Sequence, residues 1–351
     1  MTTDELLKEA KLRFSSDDRP GYSRKLNGDK FQYLDTNGNL IKDPDVIDRI
    51  NKLAIPPAYT DVWICPSSNG YLQATGYDAK RRKQYRYHPL WNKASQEEKF
   101  DRLIEFAHHL PGIRQKMRSD LALDGIPRQK IIAAVVWLLE NTLIRIGNQE
   151  YEKDNKSYGL TTLKKRHASI LAGNKVTFQF KGKSGVNHKV TFRNKRIASI
   201  LRRCRDLPGQ DLFEYYDEEN NVQNISSDDV NEYLKSATDN DITAKDFRTW
   251  GGTVLAAVKF DREGIVDEEN EVKKKIVETV KYVASHLRNK PNTCRKYYIH
   301  PSVIDAYQDG FVLSNLTEIL NETRYRAIDG LDDEENDVLK LIKKMVKFEQ
   351  V

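Results

Sequence analysis

The stretch Val176-Thr-Phe-Gln-Phe180-Lys-Gly-Lys-Ser-Gly185-Val-Asn-His188-Lys-Val-Thr-Phe192 alternates apolar and polar residues on both sides of a loop of lysine, serine and glycine. Alternation with a period of two is a strand signal, so two strands, Val176–Phe180 and His188–Phe192, form a β-hairpin around Lys181–Gly185. The flanking sequence has a different period. Upstream, Pro127 opens a helix whose apolar positions Ile131, Val135, Leu138, Leu139, Thr142 and Ile146 continue to Gly147. Downstream, Thr243-Ala-Lys-Asp246 has the form of a capping box, and Val272, Ile276, Val280, Val283 and Leu287 mark one face of a helix that has to end near Pro291. A hairpin set among helices predicts an α+β domain that is mainly helical.

Toward the N-terminus the texture becomes one of short strands and turns. Phe31-Gln-Tyr-Leu34 and Leu40-Ile41 flank Asn37-Gly38, a hairpin signal, and Val62-Trp-Ile-Cys65 and Tyr71-Leu-Gln-Ala-Thr75 continue the extended pattern beyond Pro56-Pro57. A little helix is expected around Pro44 to Leu53, and a polar linker from Trp91 to Lys99. The expected organisation is a small β-rich domain over residues 1–90 and a larger, mainly helical domain over 91–351, with an extension from about residue 305.

The charge balance is 58 Lys and Arg against 52 Asp and Glu, formally +6, and the charges are clustered. Lys80, Arg81, Arg82, Lys83 and Arg86 crowd one stretch, whereas Asp329, Asp332, Asp333, Glu334, Glu335 and Asp337 form an acidic segment expected as a solvated loop before a short terminal helix. The three cysteines, Cys65, Cys204 and Cys294, are widely spaced and odd in number, which favours a reducing, cytoplasmic setting over a disulfide scaffold or a zinc site. No segment has the length and apolarity of a membrane span, so a soluble protein without membrane contact is expected.

The basic stretch Gln73-Ala-Thr-Gly-Tyr77-Asp-Ala-Lys80-Arg81-Arg82-Lys83-Gln-Tyr85-Arg86-Tyr87-His88 mixes cations with tyrosines and amides. Cations neutralise phosphates while Tyr and Gln can reach sugars and base edges, so these residues are candidates for binding DNA; a solvated charged face is the plainer alternative. Three other motifs fail. Gly182-Lys183-Ser184 lacks the glycine framework of a phosphate loop, Thr177 standing where the first glycine belongs; Asp35-Thr-Asn37-Gly38-Asn39 has its glycine too early for a calcium loop; and Asp43-Pro44-Asp45 suits a proline turn better than paired metal carboxylates. Neither a metal nor a nucleotide cofactor is expected.

A dispersed set of residues remains: Arg145 in Leu143-Ile-Arg-Ile-Gly147, Lys183 on the hairpin, Arg248 in Lys245-Asp-Phe-Arg-Thr-Trp-Gly251, and Tyr298 in Cys294-Arg-Lys-Tyr-Tyr-Ile-His-Pro301. Singly, each could be a surface cation or a half-buried aromatic. Together with Gly21-Tyr-Ser-Arg-Lys25, Leu53-Ala-Ile-Pro-Pro-Ala58, Gln84-Tyr-Arg-Tyr-His-Pro89, Ile144-Arg-Ile-Gly-Asn148 and Tyr158-Gly-Leu-Thr-Thr-Leu163, in this order, the sequence resembles the type IB DNA topoisomerases in their compact bacterial and poxvirus form, from about Gly21 to Ile304.

The resemblance implies a catalytic set of Arg145, Lys183, Arg248, Asn289 and Tyr298, with His286 a second choice to Asn289. It selects Tyr298 over the adjacent Tyr297, because the family tyrosine directly precedes Ile-His-Pro, and it leaves Tyr297 a packing or backbone-contacting role. It implies a monomer that closes as a C-shaped clamp on double-stranded DNA and relaxes supercoils through a 3′-phosphotyrosyl intermediate, without ATP or metal. A tyrosine recombinase shares the nucleophile and cations but usually has histidine three residues before its second arginine, where this chain has Lys245. A DNA-binding clamp that has lost its chemistry is the non-enzymatic alternative.

Overall fold

The computed structural model describes residues 2–316 and 327–348, and the chain divides into two compact units, Met1–Asp101 and Arg102–Val351. Both mix helix and strand, and the smaller is built on a β-sheet.

In the first unit, strands β1 (Tyr22–Asn27), β2 (Lys30–Leu34), β3 (Thr60–Ile64), β4 (Leu72–Tyr77) and β5 (Lys83–Tyr87) form an antiparallel sheet in the order β2-β1-β3-β4-β5. Its first hairpin turns at Asn27–Lys30, where Gly28 takes a φ of +60°. The turn expected at Asn37-Gly38 also forms: the Asp35 carboxylate accepts from the backbone of Asn37 and Asn39, and Gly38 sits at φ +82°. After a short first helix, α1 (Thr3–Glu9), Asp43 caps helix α2 (Pro44–Lys52) by accepting from the Asp45 N–H at 2.9 Å, which gives Asp43-Pro44-Asp45 a structural role. Ile50 of α2 packs with Val62, Ile64 and Ala74 as the core of this sheet.

The expected linker at Trp91–Lys99 is instead helix. One 34-residue helix, α3, runs from Pro89 to Ala122. Residues 93–99 are mostly good helix formers, and the one-turn pair Lys93–Glu97 at 3.6 Å adds to them, so polarity marked an exposed helix face.

In the second unit, helix α4 (Arg128–Thr142) is apolar nearly all round and lies in the main core, with Ile131 through Val136, Leu138 and Leu139 buried. It ends four residues before the expected Ile146. Leu143 turns left-handed at φ 52°, and Arg248 donates from Nη1 to its carbonyl, so a side chain from a distant helix closes α4 and releases residues 144–148 as a loop. The expected hairpin appears as β7 (Lys175–Lys181) and β8 (Asn187–Arg193), with β6 (Ala168–Ile170) as a third strand against β7. Helices α5 (Gln149–Asn155), α6 (Lys195–Asp206) and α7 (Ser227–Thr238) follow in this unit, and α8 (Ala244–Glu263), α9 (Glu269–Leu287), α10 (Pro291–Tyr298) and α11 (Pro301–Gln308) complete the region around the candidate site.

The acidic segment departs from the solvated loop expected. A helix starts at Asp333 and runs to Phe348, with Asp332 and Glu335 bonding each other's backbone at its N-terminus, where carboxylates complement the helix dipole. Glu335 then turns inward, pairing with Arg114 of α3 and accepting from the Trp250 indole at 3.0 Å, while Val338, Leu339, Leu341 and Ile342 join the main core.

Candidate active site

The site is assembled around helix α8. Thr243 caps it, its backbone N–H and hydroxyl both donating to the Asp246 carboxylate, and this fixes the turn from which Arg248 projects. Arg248 is 3% exposed. Its Nη1 donates to the Leu143 carbonyl and its Nη2 to the Leu287 carbonyl at 2.9 Å, which ties the ends of α4 and α9 to α8 and leaves the buried Nε without an acceptor among the described residues.

Glycines allow three segments to meet at this point. A Cβ on Gly251 would lie 2.7 Å from Leu143 Cδ2, and one on Gly252 would lie 2.4 Å from the Tyr298 carbonyl oxygen. Helix α8 therefore touches both the segment that leads to Arg145 and the last turn of α10, at distances only glycine permits. Thr253 fixes the same junction by accepting from the His300 N–H at 3.1 Å.

The Arg145 loop is held by Tyr158–Leu163. Leu160 N–H donates to the Arg145 carbonyl at 2.9 Å and Thr161 N–H to that of Ile146 at 2.7 Å, with Gly147 at φ +103° packed against Gly159. Arg145 thereby presents Nη2 to Asn289 Oδ1. Asn289 follows the left-handed Arg288 that ends α9, and its buried Nδ2 has no acceptor among the described residues. Two buried donors, Arg248 Nε and Asn289 Nδ2, thus have no acceptor among the described residues.

Tyr298, the last residue of α10, is half-buried with its ring 5.1 Å from the Arg248 guanidinium carbon. Burial pushes its phenol up, but the charges of Arg248 and Arg145, a hydrogen bond with Arg248 and the charge of Lys245 outweigh that and hold it below its ordinary value. Burial and the like charge of Arg145 lower Arg248 to about 10, so it remains a cation at neutral pH. Tyr297, by contrast, is 40% exposed with Lys296 over its ring. His286 is also exposed, bonded at Nδ1 to the Tyr282 carbonyl and lying against the Tyr282 ring. Two arginines and an amide thus lie around one tyrosine at the meeting point of α8, α9 and α10.

Comparison with known proteins gives the same result over most of the chain. Residues 83–324 match the family described as eukaryotic DNA topoisomerase I, catalytic core, and residues 30–78 match the bacterial DNA topoisomerase IB N-terminal domain. The DNA topoisomerase 1B of Acanthamoeba polyphaga mimivirus is 32% identical over 82% of this chain and 88% of its own length. The chain belongs to the type IB DNA topoisomerases. More distant members include the DNA topoisomerase 1B of vaccinia virus strain Copenhagen, 25% identical over 71% of this chain and 76% of that protein. DNA topoisomerase 1 of Mycosarcoma maydis is 23% identical over 73% of this chain but only 26% of that longer protein. The chain is therefore an enzyme of a family that acts on DNA.

Of the five residues the family likeness nominates, four converge: Arg145, Arg248, Asn289 and Tyr298. Lys183 stands apart, exposed at the hairpin tip, where Ser184 and Gly185 both take positive φ, and the structure shows no contact joining it to the other four.

The DNA-binding candidates divide more sharply. Gln73 is 2% exposed and its amide is consumed internally, accepting from Arg49 and donating to the carbonyls of Ser67, Ser68 and Gly70. His88, half-buried, accepts at Nδ1 from the Leu90 N–H at the start of α3. The remaining residues lie on or beside β5, an edge strand of the sheet. Tyr85 and Tyr87 are exposed, nearly parallel and 6.1 Å apart; Lys80 and Arg81 are exposed on the turn before them, with Tyr77 beneath Arg81. Arg82 pairs with Asp78, Lys83 with Asp17, and Arg86 donates to the Ala54 carbonyl.

Gly251, Gly252, Arg288 and His188 were not singled out from the sequence. Two successive glycines inside a helix that tolerates them poorly were the available signal for the first pair. Nothing in the sequence marked Arg288 or His188.

Proposed function

We propose that the enzyme relaxes supercoiled duplex DNA by reversible transesterification, with Tyr298 as nucleophile. The observation that carries this is the convergence on Tyr298 of two arginines and an amide donor, held by the backbone of three helices. Tyr298 Oη would form a bond to phosphorus and displace the deoxyribose O5′, leaving a 3′-phosphotyrosyl bond and a 5′-hydroxyl. The bond energy is kept, so resealing needs no ATP. Charge gathers on the non-bridging oxygens during in-line attack; Arg145, Arg248 and Asn289 Nδ2 would receive it, and loss of one such donor typically costs about 10² to 10³ in rate. The lowered phenol pKa of Tyr298 favours its deprotonation during attack.

The leaving oxygen needs a proton. Lys183 is the general acid in this scheme, a role typically worth about 10² to 10⁴ in rate, and the exposed hairpin tip must close over the phosphate to deliver it. Engagement of one duplex by both units as a clamp, by a monomer in the cytoplasm, belongs to the same proposal.

The test is incubation with a nicked suicide substrate in EDTA without ATP. Wild type should form a covalent DNA adduct on the peptide containing Tyr298 and relax plasmid lacking paired recombination sites, and Tyr298→Phe should do neither while still binding DNA. An adduct formed by Tyr298→Phe would overturn the assignment; binding without any adduct by wild type would favour a non-catalytic clamp.

A further inference from the structure

We propose that His188 is a positioning residue for Lys183, its imidazole accepting a hydrogen bond from the Lys183 ammonium when the hairpin tip closes over DNA. The proposal deepens, and rests on, the reading of Lys183 as general acid.

His188 opposes Phe180 across the hairpin and stacks on it, with ring centroids 4.6 Å apart. It is 3% exposed, yet neither ring nitrogen has a hydrogen-bond partner among the described residues. Buried polar groups rarely stay unmatched, and a phenyl ring would stack equally well without the loss. The unmet nitrogens therefore point to a partner that arrives later.

Position and charge identify that partner. A Cβ on Gly182 would lie 2.4 Å from His188 Nε2, so this edge of the ring lies directly beneath the residue before Lys183. Burial, then the charges of Arg288, Arg145 and Arg248, push the imidazole down to about 4, so at neutral pH one nitrogen is an acceptor. Its charged neighbours are all cations, hence donors. Arg145 is bonded to Asn289, Arg248 to the Leu143 and Leu287 carbonyls, and Arg288 to the His286 carbonyl at 2.8 Å. Lys183, the residue after Gly182, carries an ammonium donor on the exposed tip of the same hairpin and is the cation that Gly182 places next to His188 Nε2 in the chain. The ammonium has three protons, so one can be held by His188 while another passes to O5′ as the Tyr298 Oη–P bond forms and the P–O5′ bond breaks.

The experiment compares single-turnover cleavage of two DNA substrates, one normal and one with sulfur replacing O5′ at the scissile bond. A thiolate leaves without protonation, so loss of a general acid should slow only the oxygen substrate. Lys183→Ala should be slowed by about 10² to 10⁴ on oxygen and little on sulfur. His188→Phe should be slowed about 10- to 100-fold on oxygen, run near the wild-type rate on sulfur, and add nothing in the Lys183→Ala background. His188→Gln, which keeps an acceptor, should recover part of the rate.

The ratio of rates on the two substrates is insensitive to a general folding defect, which slows both. A wild-type ratio for His188→Phe, or equal slowing on both substrates, overturns the role of His188 while leaving Lys183 standing. A Lys183→Ala enzyme that is unimpaired on oxygen, or not rescued by sulfur, overturns the general-acid reading itself.

Discussion

At the scale of single residues, the site depends on what is absent from Gly252 as much as on what Arg248 supplies. With a methyl at Gly252, the Tyr298 carbonyl oxygen at 2.4 Å would have to move, and Tyr298 with it. Gly252→Ala is expected to lower single-turnover cleavage about 100-fold with DNA affinity retained, because misplacement by about 1 Å can cost that much; cleavage within a few-fold of wild type would show that the junction yields. His188 gives a pH signature. Its imidazole is lowered from 6.5 to about 4, first by burial and then by Arg288, Arg145 and Arg248, so between these values the unfolded chain binds the extra proton. Stability should therefore rise with pH across that window and be lost as pH falls through it. Denaturant titrations from pH 4 to 7 should show a shallower slope in His188→Phe. An unchanged slope would mean that the ring titrates normally.

At the scale of elements, the polar stretches of sequence acquired unexpected roles. The acidic segment became the N-terminus of the helix Asp333–Phe348, and Glu335 became an internal group meeting Arg114, whose other partner is Glu140 of α4 at 2.6 Å. Burial raises the Glu140 carboxyl even with Arg114 bonded to it and Arg118 nearby, so Arg114 holds two carboxylates in little solvent. Removing Glu335 would also strip the acceptor from the Trp250 indole, two residues beyond Arg248. Glu335→Ala should destabilise the enzyme by about 3 kcal/mol, as for a broken buried pair, measured by urea unfolding. A loss under about 1 kcal/mol would place the pair among weak surface bridges. The end of α4 shows a related effect: periodicity carried that helix to Ile146, but the Arg248 side chain takes the Leu143 carbonyl and stops it at Thr142.

Across the whole molecule, the modest excess of +6 matters through its placement. Arg81 is exposed and only 3.5 Å from the exposed Asp61, a contact easily given up to a phosphate. Arg81→Ala should weaken DNA binding and make the slope of log affinity against log salt shallower by about 1, read by anisotropy across a salt series. Gln73→Ala should leave that slope unchanged, since its amide bonds only within the protein, and should instead lower thermal stability. A salt slope altered by Gln73→Ala and untouched by Arg81→Ala would reverse this division of the basic stretch.

The sequence by itself determined the α+β class, the hairpin over Val176–Phe192, the capped helix from Thr243 and the family, because strand alternation, caps and ordered motifs are local properties. The family likeness also nominated Tyr298 rather than Tyr297 as the expected nucleophile, through the residues that follow. Only the tertiary structure decided where α4 stops, which members of the basic stretch face solvent, and that Glu335 of the acidic segment packs inward, since each outcome depends on a partner more than twenty residues away. The same holds for His188: burial, the missing partners and the arginines around it exist only once β8 is paired with β7 and the loops of Arg145 and Arg288 are in place.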